Sequence, residues 1–172
     1  MNILIIGHGR HGKDTLAELL KIHAGLSFKS SSEAAAEIFI YDALKEKYGY
    51  KTFSQCYDDR HNHRAEWYDL ITAYNKDDRA KLAKDILALN DCYVGMRDRE
   101  EILECKRQRI FNLIIWVDAS DRLPLEDKSS FNIDKNLADI IIDNNSTYDE
   151  FESKVIRLST ILKAKNNTYY CA

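Results

Sequence analysis

Residues 1–15 read MNILIIGHGRHGKDT, and the order of residue types in that stretch decides the fold. Ile3, Leu4, Ile5 and Ile6 form a short apolar run, the pattern of a strand buried on both faces. Gly7, Gly9 and Gly12 follow, then Lys13, and from Leu16 apolar residues recur at helical spacing (Leu16, Leu19, Leu20). Strand, glycine-rich turn and helix, in that order, are the setting of a phosphate-binding loop. Gly7-x-x-x-x-Gly12-Lys13 has the P-loop spacing, with Asp14-Thr15 where Ser/Thr is usual. Glycines let the backbone take positive φ and approach a ligand, and successive N–H groups then form a nest for phosphate oxygens. The helix that follows adds the positive end of its dipole. The candidate nucleotide-binding set is therefore Gly7, Gly9, Arg10, His11, Gly12, Lys13, Asp14 and Thr15. Lys13 would reach the β- and γ-phosphates, and Thr15 or Asp14 would help to hold Mg²⁺. An ordinary glycine-rich strand-to-helix turn is the plainer alternative. Asp14 puts negative charge beside the phosphates and calls for a metal or an arginine to offset it.

Beyond the loop, strands and helices alternate. Short strands are expected at 26–29, 92–94, 113–117 and 140–142, and helices at 34–47, 60–74, 77–89, 99–109 and 148–162, with 52–58 a connector. This alternation predicts an α/β fold of the P-loop NTPase kind: three layers, a parallel five-stranded sheet with helices on both faces. Ligands in such sheets sit at the carboxyl ends of the strands. The stretches to inspect are thus 7–15, 30–33, 95–101, 118–121 and 143–146.

The chain has 172 residues, enough for one domain at 1–165, with a helical insertion on the acceptor side at about 34–90 and a flexible tail at 166–172. Hydrophobic residues make up 45 %, which supports one sizeable core, and a single proline and six glycines exclude fibrous and disordered classes. A net charge of -3 gives no general attraction to a polyanion. The four cysteines lack paired spacing and read as reduced thiols of a cytoplasmic protein. The run Ile3–Ile6 is too short for a signal peptide, and no stretch approaches the ~20 apolar residues of a membrane span.

Three stretches together resemble the bacteriophage deoxynucleoside monophosphate kinases, within the thymidylate-kinase-like P-loop kinases. They are Gly7…Gly12-Lys13-Asp14-Thr15 with its GKDT ending, Arg97-Asp98-Arg99-Glu100-Glu101 after a strand, and Asp139-Ile140-Ile141-Ile142-Asp143-Asn144-Asn145-Ser146 before the last helix. The resemblance implies ATP and Mg²⁺, transfer of the γ-phosphoryl group to a deoxynucleotide acceptor, and Asn144 beside the nucleotide base, with turn chemistry alone as the plainer reading of Asn144-Asn145-Ser146. Gly95 stands where that group carries an acidic residue, and Asp118, after the next strand, is the candidate metal-holding substitute. The group closes an arginine-bearing lid; here 118–135 holds one arginine, Arg122, among several acids. A reduced lid suits a bulky acceptor. It resembles the phage kinases that phosphorylate 5-hydroxymethyluracil already in DNA, a step of thymidine hypermodification. DNA-borne 5-hydroxymethyl-deoxyuridine is accordingly expected slightly ahead of free deoxynucleoside monophosphates. A nucleotide-binding module without transfer activity stands as a third alternative, and a homodimer is a further expectation.

Phosphoryl transfer needs positioning and charge neutralisation. Lys13 and Arg97 are the expected neutralising groups, with an ion pair between Arg97 and Glu101 as the plainer role. Arg10 would lean on the phosphates. Glu33 is the first candidate for a general base and Asp58 the second, while Ser30-x-x-Glu33 also has capping-box spacing. DNA phosphates would be met by Arg60, Arg64, Arg97, Arg99, Lys106, Arg107 and Arg109. His61 and His63 do not read as a zinc site, and Trp67, Tyr68 and Trp116 read as core.

Overall fold

Ile3–Ile6 forms strand β1, all four residues buried. It lies at the centre because it is apolar on both faces. Leu4 and Ile6 enter one core with Tyr93, Ile114 and Trp116, whereas Ile3 and Ile5 enter the other with Val94, Ile115 and Val117. A fully buried Ile or Leu contributes about 1.5–3 kcal/mol, so a polar residue at either parity would be costly.

The computed structural model describes residues 1–126 and 131–169. In chain order β1 is followed by α1 (Lys13–Ala24), β2 (Phe28–Ser30), α2 (Ser31–Ala35), a π-helical turn (Ala36–Ile40), α3 (Tyr41–Tyr48), α4 (Phe53–Asp58), α5 (Arg64–Tyr74) and α6 (Lys81–Leu87). Then come β3 (Cys92–Val94), α7 (Arg99–Arg107), β4 (Leu113–Asp118), β5 (Ile140–Asp143) and α8 (Tyr148–Tyr169). The sheet order is β2-β3-β1-β4-β5, and every pairing is parallel. Helices α1 and α8 cover one face and α2 to α7 the other. The expected three-layer α/β architecture is the one observed.

Several expectations are corrected: the helix expected at 60–74 begins at Arg64, the one expected at 77–89 is Lys81–Leu87, and the one expected at 34–47 is divided into α2, the π-helical turn and α3. Residues 52–58, read as a connector, contain α4, because the Thr52 hydroxyl accepts the Gln55 N–H and caps it. The closing helix runs to Tyr169 rather than 162, so 166–169 of the expected tail are helical, while 170–172 lie outside the described residues. Tyr68, read as core, is exposed on α5, whereas Trp67 and Trp116 are buried. No helix among the described residues is long and apolar enough to cross a membrane.

Candidate functional site

The parallel sheet sends β1 straight into the glycine-rich loop, and α1 begins at Lys13 with Gly12 as its N-cap. Two glycines there are dictated by geometry. Gly7 has φ 143°, and a Cβ would sit 2.5 Å from the Val117 carbonyl oxygen on neighbouring β4. Gly12 has φ 102°, and a Cβ would run into the Asn144 side-chain amide. Arg10 also takes positive φ, 65°. The loop is fastened from within, for the Lys13 ammonium donates to the His8 carbonyl at 2.7 Å. Burial, with the nearby Arg97 charge second, pushes Lys13 down to about 8. An anion that joined it would raise that value again.

From β4 the chain returns over the loop. The fully buried His11 ring is gripped twice: its Nδ1 accepts the Ala119 N–H at 3.1 Å, and its Nε2 lies 3.3 Å from the Pro124 carbonyl. The Glu126 N–H donates to His8 Nδ1 at 3.1 Å. Burial and the His11 ring hold His8 below its ordinary pKa, in keeping with an unprotonated acceptor nitrogen. Phe131 packs on the same ring, with centroids 4.3 Å apart.

The Glu126 carboxylate reaches the loop itself. One oxygen accepts the Gly9 N–H at 2.6 Å, and the other pairs with Arg97 at 2.7 Å. Burial pushes this carboxyl up, but Arg97, the Gly9 amide and Lys13 outweigh it and leave it below the usual range. Arg97 therefore does not pair with Glu101 as the plainer role required. Glu101 instead accepts the Asn75 side-chain N–H at 2.7 Å. Sequence reasoning missed Glu126; the signal was the run of acids in 118–135, but only the fold says which acid lies over the loop.

The remaining candidates fall around this centre. Asp14 is exposed in the first turn of α1. Thr15 lines a cavity of about 260 Å³ with Arg122, Asn144, Ser146, Tyr148 and Phe151. Asn144 is buried, and its amide donates to the His11 carbonyl at 2.9 Å, so that side chain fastens the loop from β5. Arg122 donates to the Asn144 carbonyl at 2.6 Å. Asp118 is bonded to the Lys135 ammonium. Burial raises its carboxyl, but Lys135 and Ser120 hold it below the usual range. Glu33 sits in the first turn of α2, where its N–H donates to Ser30 Oγ and its carboxylate pairs with Lys29 at 3.0 Å. Asp58, exposed at the end of α4, accepts the Ser54 hydroxyl at 3.3 Å.

No family model and no curated protein matches the chain. Among solved structures, the shikimate kinase of Bacteroides thetaiotaomicron superposes with a TM-score of 0.51 at 11% identity, over 95% of this chain and 98% of that one. The chain shares the fold of that enzyme. A gluconokinase from Sinorhizobium meliloti 1021 gives 0.48 at 14% identity, covering 99% and 97% of the two chains. A sugar kinase from Janibacter sp. HTCC2649 gives 0.46 at 13%, covering 95% and 96%. In P-loop terms, the loop, Lys13, Arg97 and the 260 Å³ cavity all lie at the carboxyl end of the sheet, where this fold class takes ligands.

Proposed function

We propose that the protein is an ATP- and Mg²⁺-dependent kinase acting on a deoxypyrimidine acceptor. One observation carries the reading: a loop amide and Arg97 both hold a single anionic group, here the Glu126 carboxylate, and the charge of nearby Lys13 favours its ionised form. Donors around one anion are what a terminal phosphate requires, and their value lies in being placed beforehand. The residues present suit the cofactors. The loop offers the Gly9 amide to an anion, and the cavity beside Thr15 has two aromatic residues, Tyr148 and Phe151, in its lining, the kind of side chain on which a base stacks. Among the described residues no three His, Cys, Asp or Glu gather as metal ligands. That is compatible with Mg²⁺, which takes one or two protein oxygens and completes its shell from phosphates and water. Asp14 and Thr15 would hold it, with Asp118 once freed from Lys135. When bound, it offsets charge between the phosphates.

In this reading Lys13, Arg97 and the loop amides hold the γ-phosphoryl group, with Arg10 at the loop's rim. The acceptor oxygen bonds to phosphorus as the bond to the β-bridging oxygen breaks. Glu33 takes the acceptor proton after releasing Lys29, which Glu37 also holds at 2.7 Å. For the acceptor, the arginine-poor segment after β4 supports 5-hydroxymethyl-deoxyuridine in DNA. A second reading, a free deoxynucleoside monophosphate, is favoured by ion pairing of the would-be DNA surface. Arg99 pairs with Asp134 and Arg107 with Glu104, leaving those cations less available to a polymer backbone.

One assay separates these. Labelled ATP is offered with hydroxymethyluracil-containing DNA, the free monophosphates, and shikimate and gluconate as outgroup acceptors. Label in the DNA supports the first reading, and label only in the monophosphates moves the assignment to the second. Lys13→Ala should abolish transfer by at least about a hundredfold with its far-ultraviolet circular dichroism unchanged. Unaltered turnover in that variant would falsify the role given to the loop.

A further inference from the structure

We propose that Glu126 is an internal stand-in for phosphate, and that the segment 119–126 is a strap holding it in the nucleotide cradle until ligand replaces it. The inference rests on the cradle reading above and adds its regulation. A carboxylate and a phosphate offer the same chemistry to the loop: negative charge and acceptor-only oxygens. Glu126 uses both oxygens in that way, one on the Gly9 N–H and one on Arg97, and it feels the Lys13 charge. Those are the three groups through which the site would hold a terminal phosphate. Two like-charged groups do not share such a site. Bound triphosphate and an inserted Glu126 therefore exclude one another.

The strap is built into the loop sequence. Phosphate binding asks for glycines, a lysine and a hydroxyl; it has no use for the two histidines of Gly7-His8-Gly9-Arg10-His11-Gly12. Both histidines bind the strap instead. His11 takes the Ala119 N–H and meets the Pro124 carbonyl, fixing the strap at its start and before its end. His8 takes the N–H of Glu126 itself, which sets the backbone from which the carboxylate enters. Nucleotide then binds only to molecules whose strap is open, and the apparent affinity falls by the open fraction. A strap closed in nine molecules of ten lowers affinity about tenfold. Opening also frees Arg97 from its pair, so that one movement clears the cradle and releases the arginine that the transfer step uses.

The test is calorimetric titration of MgATP, and of inorganic pyrophosphate as a base-free probe, into the full chain and its Glu126→Gln and Glu126→Ala variants. Thermal melts confirm that each is folded. The expected result is affinity about tenfold higher or more in both variants for both probes. The same affinity in all three proteins overturns the strap and leaves the cradle intact. Weaker binding by the variants also overturns it, and makes Glu126 a ligand-positioning group. No binding of either probe by any of the three proteins overturns the cradle reading, and the strap falls with it.

Discussion

At the scale of single residues, two carboxylates show how environment divides one chemistry. Glu126 sits among donors and is held ionised, so it acts as an anion. Glu101 sits in α7 against Asn75, and burial pushes its carboxyl up to about 7 against the opposing charge of Arg79. The Asn75 hydrogen bond opposes that rise and the Asp98 charge adds to it. The consequence for stability has a definite sign. Between the ordinary glutamate value of 4.5 and about 7 the folded protein holds a proton that the unfolded chain has lost. Stability therefore falls as pH rises through that window, and above it an ionised carboxylate is buried at a cost. Glu101→Gln keeps the acceptor oxygen for Asn75 and removes the charge. It should stabilise the protein by about 1–3 kcal/mol at pH 8 and by close to nothing at pH 4.5. Urea unfolding at the two pH values reads the difference, and an equal effect at both would show that Glu101 titrates normally.

At the scale of elements, the loop is gripped by its neighbours rather than stable by itself. Asn144, just past β5, holds the His11 carbonyl and also fills the space a Cβ on Gly12 would need. Gly12→Ala thus meets two penalties, a positive φ and a clash, and should cost about 2 kcal/mol or more and abolish ATP binding. Asn144→Ala loses one buried hydrogen bond, about 1–2 kcal/mol. With Asn144 already truncated, the alanine at 12 keeps only its φ strain, so the double variant should fall short of the sum by at least about 0.5 kcal/mol. Additive losses in chemical denaturation would mean that the two positions do not touch. The same contacts mark what the sequence could reveal. β1, the loop and α1 were legible because local pattern and turn chemistry agree there. β3 was legible for the same reason. Glu126 and the loop-fastening role of Asn144 were not, since each depends on a partner more than 110 residues away in sequence, chosen by sheet order. α4 was missed for a different reason. Its six residues carry too few apolar positions to show a period, and only the Thr52 cap marks its start.

At the scale of the whole molecule, the site and the sheet share their stability, because the cradle exists only while β1 lies between β3 and β4. Cys92 lies in β3 between β1 and β2, fully buried, with its thiol pushed up to about 12 by burial. Cys105, on the face of α7 that packs against the sheet, is equally buried and likewise pushed up to about 12. A thiol reagent cannot reach either one without opening the sheet or the helix over it. The chemistry needs the thiolate, which both environments suppress. Their labelling rates therefore measure how often the molecule opens. A ligand that binds only molecules whose sheet is intact reduces that frequency by 1 + [L]/Kd, about a hundredfold at a hundred times Kd. MgATP should slow the labelling of Cys92 by that factor in the native protein and leave it unchanged in Lys13→Ala. Cys56, buried on α4 in the helical layer, should be slowed less, because α4 can open while the cradle stays assembled. If ATP protected all three thiols equally, the helical layer and the sheet would open together and the chain would behave as one cooperative unit. If it protected none while calorimetry showed binding, the cradle would survive the opening that exposes Cys92. Its geometry would then be maintained by the loop's own contacts to His8, His11 and Asn144 rather than by the sheet.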